Sequence, residues 1–171
     1  MFEYLVRWMI SVSRRYWLVS SFDYESLQTA QERLMWGFWD KNSASKQELR
    51  SKLKKNWRDF ITQYNTMKPG DIVFFQNKTN YKIHGFGIIR EKYYDDQTPI
   101  WSLESKYNRV LFPWRLSFQA VLMSKMGFSI HAVNKSMYLD GYGLGALSES
   151  EAYRILKFIN IELGGSISVM F

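Results

Sequence analysis

Apolar residues in the first part of the chain follow two periods, one typical of strands and one typical of helices. The run YWLVSS (16–21) is rich in aromatic and β-branched residues, and we predict that it forms a buried strand. Apolar residues then recur at helical spacing over 27–34, with Asp23 or Ser26 as the N-cap. We predict that this helix ends at MWGFWD, because Gly37 permits the backbone to break there.

A second helix is predicted to begin near residue 45, where Ser45 and Glu48 have the spacing of a capping box. One side of this helix is apolar, because large residues recur every three or four positions. They are Leu49, Leu53, Trp57, Phe60, Ile61 and Tyr64. Lysine and arginine occupy much of its remaining surface.

The rest of the chain is rich in strand patterns, with one more helix at its end. We predict strands at 71–76, 82–91 and 127–133, and one or two strands within 109–123. The first of these follows a turn at Pro69-Gly70. Segments 92–108 and 138–150 are predicted as loops, the second rich in glycine. The last helix covers 148–165, with Ser148 and Glu151 as a capping box and Gly164 as its stop.

This succession predicts an α+β fold, a bent sheet or small barrel flanked by helices. Residues 1–14 are expected to be an N-terminal extension, 15–163 the domain, and 164–171 a tail or the start of a linker. The extension is apolar, but it is short and carries Glu3 and Arg7, so it has the pattern of neither a signal peptide nor a membrane span. We interpret it as an extra strand or a packing arm.

Composition supports one folded domain in a reducing compartment. The chain has 171 residues, of which 46% are hydrophobic and 23% charged, so it can bury a core. It contains no cysteine, which excludes disulfides, thiolate nucleophiles and cysteine-based zinc sites. We therefore expect a cytoplasmic protein.

The net charge of +7 is concentrated in one segment. Residues 41–58 hold seven basic side chains and one acidic side chain, whereas residues 1–40 hold four and five. This segment includes the start of the second predicted helix. A basic helix is commonly a solvated face, but beside an aromatic segment it is also the pattern of a phosphate-binding ridge.

The sequence carries little that predicts catalysis. Its two histidines, His84 and His131, both lie in strand-like runs, and no metal-ligand cluster or G-x-S-x-G elbow is present. Asp95-Asp96 fits a solvated loop better than a catalytic pair. The run GYGLG (141–145) lacks the Lys-Ser/Thr of a Walker A motif. We predict no catalytic residue, no metal and no cofactor.

Five of the seven tryptophans fall into two groups by their context. Trp17 and Trp57 lie on predicted buried faces and are expected in the core. Trp36, Trp39 and Trp101 lie at a helix end or in a loop, beside small or polar residues. A loop tryptophan of this kind can face a ligand, although packing beneath its own loop is an equally good interpretation.

The order of several segments resembles the YTH and EVE domains of the PUA-like superfamily. The segments are YWLVSS, MWGFWDKN, MKPGDIVFFQN, HGFGIIREKYYDD and LSESEAYRILKFI. In YTH domains a cage tryptophan follows a strand ending in Lys-Ser by fifteen residues, and here Trp36 follows Ser21 at that distance. Trp101 lies where such domains carry a second cage tryptophan. The resemblance spans roughly residues 15–162.

The resemblance implies that a methylated or otherwise modified base is held in an aromatic cage. Trp36 and Trp101 would sandwich the base, and Tyr107 or Leu103 would close the third wall. The resemblance also implies that the backbone around Ser21 and Gly37 would hydrogen-bond the base edge. Ser26 lies where many YTH domains carry an Asn or Asp that reads the adenine edge. Trp39 would narrow the pocket. The phosphate-binding residues would be Lys46, Arg50, Lys52, Lys54, Lys55 and Arg58.

The chain also looks similar to the N-terminal DNA-reading domains of McrB-type modification-dependent restriction proteins. That similarity implies a domain that flips N6-methyladenine out of DNA. It also implies two protein partners, an AAA+ GTPase motor and an McrC-like nuclease, and no membrane. The alternatives are a stand-alone module that reads modified RNA, or a protein with a pocket for a nucleotide.

Overall fold

Six strands and four helices are found in the two ranges described by the computed structural model, residues 14–131 and 141–164. The strands are β1 (Tyr16–Ser21), β2 (Met35–Phe38), β3 (Ile72–Asn77), β4 (Ile83–Tyr94), β5 (Trp114–Met123) and β6 (Leu144–Leu147). The helices are α1 (Tyr24–Arg33), α2 (Gln47–Thr66), α3 (Ser102–Tyr107) and α4 (Glu149–Glu162). Within these ranges, no helix is long and apolar enough to cross a membrane.

The strands form one sheet in the order β2-β5-β4-β3-β1-β6, which curls into a half-barrel. β1 and β3 are parallel neighbours, and every other neighbouring pair is antiparallel. The long connection from β1 to β3 carries α1, β2 and α2, so β2 returns to the far edge of the sheet. The predicted α+β fold, a bent sheet with flanking helices, is confirmed.

Alternation along β1 divides the core into two layers. Trp17 and Val19 pack with residues of α1 and α2, whereas Tyr16 and Leu18 pack with α4. The helix residues that fill the first layer include Leu27, Ala30, Leu53, Phe60 and Tyr64, and those that fill the second include Ala152, Ile155 and Ile159. Each large apolar side chain buried in this way contributes about 1.5–3 kcal/mol.

The prediction that the first helix ends at Gly37 was wrong. The helix ends at Arg33, because Leu34 adopts the left-handed conformation (φ 54°) and its N–H donates to the Ala30 carbonyl at 3.1 Å. MWGF is then free to form β2, which pairs antiparallel with β5. The inter-strand hydrogen bonds of that pairing stabilise this segment as a strand.

The basic helix is confirmed, but its predicted capping box is wrong. The N-cap is Lys46, which makes no side-chain capping bond. Ser45 Oγ instead accepts a hydrogen bond from Arg109 at 3.3 Å. The apolar face packs as predicted, with the side chains of Leu53, Phe60 and Tyr64 buried.

The predicted strands at 71–76 and 82–91 are confirmed, with β4 running on to Tyr94 and so into the predicted loop 92–108. That loop also contains α3. The strand predicted at 127–133 is wrong for its described part, where only an isolated bridge joins His131 to Lys82. The glycine-rich loop contains β6, and Ser148 caps α4 as predicted. The predicted N-terminal extension (1–14) and the predicted tail (164–171) lie outside the described residues, apart from Arg14 and Gly164.

Candidate functional site

Trp36 and Trp101 lie on opposite sides of strand β2. The Trp36 indole is buried, and its ring centroid is 5.5 Å from that of Phe75 in the core. Trp101 instead lies against Gly37, where an added β-carbon would be 2.4 Å from Trp101 Cη2. Neighbouring residues of a strand point to opposite faces of the sheet. In this structure the two indoles therefore do not form the parallel walls that the resemblance implies.

The structure brings Trp101 together with a different set of residues, here called the Trp101 cluster: Trp101, Gly37, Phe112, Trp39 and Arg115. The Phe112 ring centroid is 5.3 Å from that of Trp101 and 4.6 Å from that of Trp39. The Arg115 guanidinium carbon is 5.5 Å from the Trp101 ring centroid. The cluster is thus a run of flat groups that ends in a cation, on the side of β2 away from Trp36.

The Trp101 indole is buried in this position although its N–H group makes no hydrogen bond. It is 4% exposed, and its Nε1–H is buried with no hydrogen-bond partner. A buried donor left without a partner costs about 1–3 kcal/mol. This cost reduces the free energy needed to move the ring out of its place over Gly37.

Glu104 holds the backbone around Trp101 in place through hydrogen bonds. Its carboxylate is fully buried and accepts four backbone hydrogen bonds. Oε1 accepts from the N–H groups of Leu111 and Phe112, both at 2.8 Å. Oε2 accepts from those of Ile100 at 2.7 Å and Trp101 at 3.3 Å. One side chain therefore sets the position of both ends of the segment that carries α3.

Arg115 connects this segment to the loop that follows β4. The guanidinium is buried and donates to Asp95 Oδ2 at 2.9 Å and to the Thr98 carbonyl at 2.6 Å. It also lies 3.7 Å from Glu104 Oε2. The pKa of Asp95 is held below its usual range, first by the hydrogen bond from the Gln97 N–H and also by the nearby Arg115 charge. Asp95 is therefore part of a structural ion pair.

A clasp of two hydrogen bonds joins the first turn of α1 to the first turn of α3. Glu25 Oε1 accepts from the Ser102 N–H at 2.7 Å, and Oε2 accepts from Ser102 Oγ at 2.6 Å. Ser21 is the last residue of β1, and Ser26 follows Glu25 in the first turn of α1, where Asp23 caps the helix by accepting from the Ser26 N–H at 2.8 Å. The β1–α1 connection is thereby held against the residue that follows Trp101.

The other two implied cage residues, Leu103 and Tyr107, are exposed on α3. The Tyr107 ring lies 5.8 Å from Lys106 Nζ. Both side chains thus belong to the short helix that begins directly after Trp101. They are placed on the outer surface of the segment rather than in the Trp101 cluster.

The predicted phosphate-binding residues lie on α2 or at its start. Lys46, Lys54, Lys55 and Arg58 are exposed, and Lys52 is partly exposed. Arg50 folds back instead, donating to the carbonyls of Ala44 at 3.1 Å and Ser45 at 3.0 Å.

Arg109 links the start of α2 to the segment that carries Trp101. It follows α3 in the chain and donates to the Ser43 carbonyl at 2.9 Å. It also reaches Ser45 Oγ at 3.3 Å. Lys46, which follows Ser45 at the start of α2, therefore lies near the end of the segment that carries α3.

Sequence reasoning missed Phe112, Glu104 and Arg115. Phe112 precedes a proline in a run that has the pattern of a strand. Glu104 and Arg115 are ordinary charged residues in the sequence, and only the fold reveals that both are buried. Within the described ranges, no group of three or more His, Cys, Asp or Glu residues is arranged to hold a metal ion.

Comparison with known proteins identifies one relative and one fold. The uncharacterized protein MJ1369 of Methanocaldococcus jannaschii is 42% identical over 156 residues, which cover 91% of this chain and 97% of that protein. No protein-family model matches the chain. A crystal structure of the Mmi1 YTH domain superposes with a TM-score of 0.50 at 15% identity, covering 87% of this chain and 97% of that one. A second structure of the same domain gives 0.50 at 15% identity over 88% of this chain and 77% of that one.

Proposed function

Since the chain belongs to the same protein family as MJ1369 and has the fold of YTH domains, we propose that it is a nucleic-acid-binding module that reads a modified base. The observation that carries this proposal is the contact between Trp101 and Gly37. There a flat ring rests on a strand that has no side chain beneath it. A nucleobase is also a flat ring, and it can take the same place.

In the proposed bound state Trp101 moves off Gly37 and the base enters between them. The base then stacks on the indole, which is worth about 1–3 kcal/mol. Phe112 and Trp39 line the side of the slot. Trp36 supports β2 from the core side, a different role from the wall that the resemblance implies.

Polar contacts of the base are proposed to come from the backbone at Gly37, from Ser21 at the end of β1 and from Ser26 in the first turn of α1. Leu103 and Tyr107 are proposed to approach the mouth of the slot when α3 moves with Trp101. A methyl group buried among the rings adds about 0.8 kcal/mol, which favours a methylated base over a plain one.

Phosphate contacts are proposed to come from Lys46, Lys54, Lys55 and Arg58, with Lys52 at the edge and Arg50 mainly supporting the turn before α2. Flipping a base out of a duplex costs a few kcal/mol. Neutralised phosphates offset that cost and make binding salt-dependent. The link from Arg109 to Ser43 supports this arrangement, since it holds the start of α2 beside the Trp101 segment.

We propose N6-methyladenine in DNA as the ligand, within the targeting part of an McrB-type restriction system. A GTPase motor of the AAA+ class and an McrC-like nuclease would then be the partners. This part of the proposal rests on the sequence resemblance. A module that reads modified RNA is the alternative, and the binding experiment distinguishes the two.

The test is a binding panel of DNA and RNA oligonucleotides, single-stranded and duplex, each with adenine or N6-methyladenine at one position and at fixed salt. We expect the methylated strand to bind about fourfold or more tightly, as burial of one methyl group implies. Trp101→Ala should remove this preference, and Tyr153→Ala, an exposed ring on α4, should keep it. Equal affinity for methylated and plain strands in every arm would contradict the proposal.

A further inference from the structure

Three chain segments meet at the end of the sheet where β1 finishes. The Lys78 N–H donates to the carbonyl of the last residue of β1 at 2.9 Å, which joins the turn between β3 and β4 to β1. The Tyr24 hydroxyl donates to the Lys125 carbonyl, which joins the start of α1 to the turn after β5. A β-carbon added to Gly127 in that turn would lie 3.2 Å from Lys82 Cβ, so the two turns are also in contact. The three segments therefore form one continuous surface.

This area is here called the Phe22 surface, and it carries three large apolar or aromatic side chains and three lysines. They are Phe22, Tyr81, Met126, Lys78, Lys82 and Lys125. The Phe22 side chain is 73% exposed and that of Met126 is 80% exposed, the two highest values among the large apolar side chains of the described ranges. Exposed apolar area of this kind is typical of an interaction site.

The Phe22 ring has a cation beside it. Lys78 Nζ lies 4.6 Å from the ring centroid, which is the distance of a cation–π contact. The lysine stem is flexible, so its ammonium can turn to a phosphate while the ring receives a base. The ring and the lysine thus supply the two contacts that an unpaired nucleotide needs, one for its base and one for its phosphate.

Tyr81 is held at the same surface by an unfavourable backbone conformation. Its φ is +58°, in the left-handed region that residues with large side chains rarely adopt. The turn keeps this conformation because the Tyr81 N–H donates to the Asn77 carbonyl at 2.8 Å. The Tyr81 carbonyl also accepts from Nε2 of the buried Gln76 at 2.6 Å. The strain places a second aromatic ring on the surface, where its side chain is 37% exposed.

The lysines give the surface an excess of positive charge. Lys125 is exposed, and Lys78 and Lys82 are partly exposed. The neighbouring carboxylates are those of Asp23 and Glu32, and each already accepts a hydrogen bond from another residue of the protein. Three cations beside two acidic groups, among exposed rings, favour a phosphate-bearing partner with flat groups.

The first turn of α1 connects this surface to the Trp101 segment. Phe22 lies three residues before Glu25, whose carboxylate accepts from the Ser102 N–H at 2.7 Å and from its Oγ at 2.6 Å. Ser102 follows Trp101 directly in the chain. A strand with its modified base in the proposed slot therefore lies close to the Phe22 surface.

We propose that the Phe22 surface is a stacking platform for unpaired nucleotides that flank the modified base, with a base on the Phe22 ring and phosphates at Lys78 and Lys125. The inference rests on the proposed function, because it assigns the platform to the same strand. It goes beyond that function by specifying that the flanking nucleotides are single-stranded, since a ring can stack only on a base whose face is exposed. Such stacking tolerates any sequence, so the platform adds affinity without changing the preference for a methylated base.

The test compares a long and a short ligand. The probes are N6-methyladenosine monophosphate and a single-stranded nonanucleotide, made as DNA and as RNA, with adenine or N6-methyladenine at its centre. Phe22→Leu keeps an apolar side chain but removes the flat ring. We expect it to weaken binding of methylated and plain nonanucleotides alike by about fivefold or more, and to leave the affinity for the mononucleotide unchanged.

Two further variants isolate the role of the ring. Phe22→Tyr keeps a ring and should keep the wild-type affinity. Phe158→Leu is the matched control, because it makes the same exchange at an exposed phenylalanine on α4. It should leave binding of every probe unchanged.

The phosphate contact is tested by salt dependence. Lys78→Ala should reduce the slope of log affinity against log salt for the nonanucleotide by about one. Lys157→Ala, an exposed lysine on α4, should leave that slope unchanged.

Equal nonanucleotide affinities for Phe22→Leu and Phe158→Leu would overturn the platform, and a methyl preference retained in both would leave the proposed function standing. Loss of binding to anionic phospholipid vesicles in Phe22→Leu, with nucleotide binding intact, would refute the platform in favour of a lipid-binding surface. A wild-type protein that does not distinguish methylated from plain strands, but that loses affinity for both on Phe22→Leu, would instead refute methyl reading and support the platform.

Discussion

The Trp101 ring rests on the backbone of Gly37 so closely that a β-carbon at residue 37 would lie 2.4 Å from Trp101 Cη2. The same β-carbon would lie 2.9 Å from Phe112 Cβ. A side chain at residue 37 and an indole over the strand therefore exclude each other. This relationship makes residue 37 the place where the proposed slot is tested first.

Gly37→Ala is expected to displace Trp101 and to lower the free energy of unfolding by about 1–3 kcal/mol, the usual cost of overpacking. In the double variant Gly37→Ala/Trp101→Ala, the part of that loss caused by the indole should disappear, and only the part caused by the contact with Phe112 Cβ should remain. The free energy of unfolding is measured by urea denaturation for the wild type, the two single variants and the double variant. Their comparison gives the energetic coupling between residues 37 and 101. Additive losses would show that the two residues do not press on each other.

Glu104→Gln is expected to destabilise the Trp101 segment. An amide can accept with only one oxygen, and its NH₂ group would face the N–H groups that now donate to the carboxylate. A loss of about 2–4 kcal/mol in unfolding free energy is expected for a buried charged acceptor of this kind. Denaturant titration measures it, and Glu48→Gln, an exposed glutamate on α2, is the matched control. A loss no greater than that of the control would contradict the role given to Glu104.

Opening of the slot should be controlled by the clasp between Glu25 and Ser102. Because Ser102 is exposed, Glu25→Ala is expected to cost no more than about 1 kcal/mol of global stability. It should nevertheless increase acrylamide quenching of Trp101 fluorescence, read in a background where the partly buried Trp39, Trp57 and Trp114 are phenylalanine. Ser102→Ala should have a similar effect, and the double variant should add little. Unchanged quenching in both single variants would show that the clasp does not hold the ring.

The basic ridge makes a prediction about salt. Removing Lys52, Lys54 and Lys55 together should weaken binding of all sequences equally and reduce the slope of log affinity against log salt by about one for each lost phosphate contact. Lys157→Ala, on α4 across the sheet, should leave the slope unchanged. If the triple variant keeps the wild-type slope, α2 is only a solvated face.

Protonation of His84 should reduce stability in mild acid. Its pKa in the folded protein is lowered by burial, so the unfolded chain binds the proton more readily and stability is lost as pH falls below about 6.5. The charged or titratable groups around it are Tyr24, Glu32, Lys82 and Lys125. Melting temperatures between pH 7.5 and 5 should fall more steeply for the wild type than for His84→Asn. If the melting temperatures of the two proteins fall equally with pH, the lowered pKa of His84 is contradicted.

The sequence was most informative where side-chain period and local chemistry agree. β1, β3 and the core of α2 follow directly from apolar alternation and helical spacing, and Ser148 marks the start of α4 by its capping chemistry. The end of α1 could not be predicted, because it depends on Leu34 adopting a left-handed conformation so that β2 can pair with β5. Pairing between strands that are far apart in the sequence leaves no recognisable pattern in the residues next to Leu34.

The candidate site was likewise predictable only where the local sequence pattern was sufficient. Trp101 was singled out because it lies among small and polar residues, and it is the centre of the observed cluster. Trp36 was singled out for the same reason, but its strand directs it into the core. The one-residue alternation of β2, which places Gly37 and not Trp36 beneath Trp101, could be read only once that segment was known to be a strand.

The central claim is that a modified base takes the place of Trp101 over Gly37, and the Trp101 indole N–H reports on it directly. In ¹H–¹⁵N spectra the seven indole signals can be assigned by single Trp→Phe substitutions. Added N6-methyladenosine monophosphate should shift the Trp101 signal strongly while that of Trp17, in the core, stays in place. A Trp101 signal that does not move at ligand concentrations that saturate binding would contradict the account.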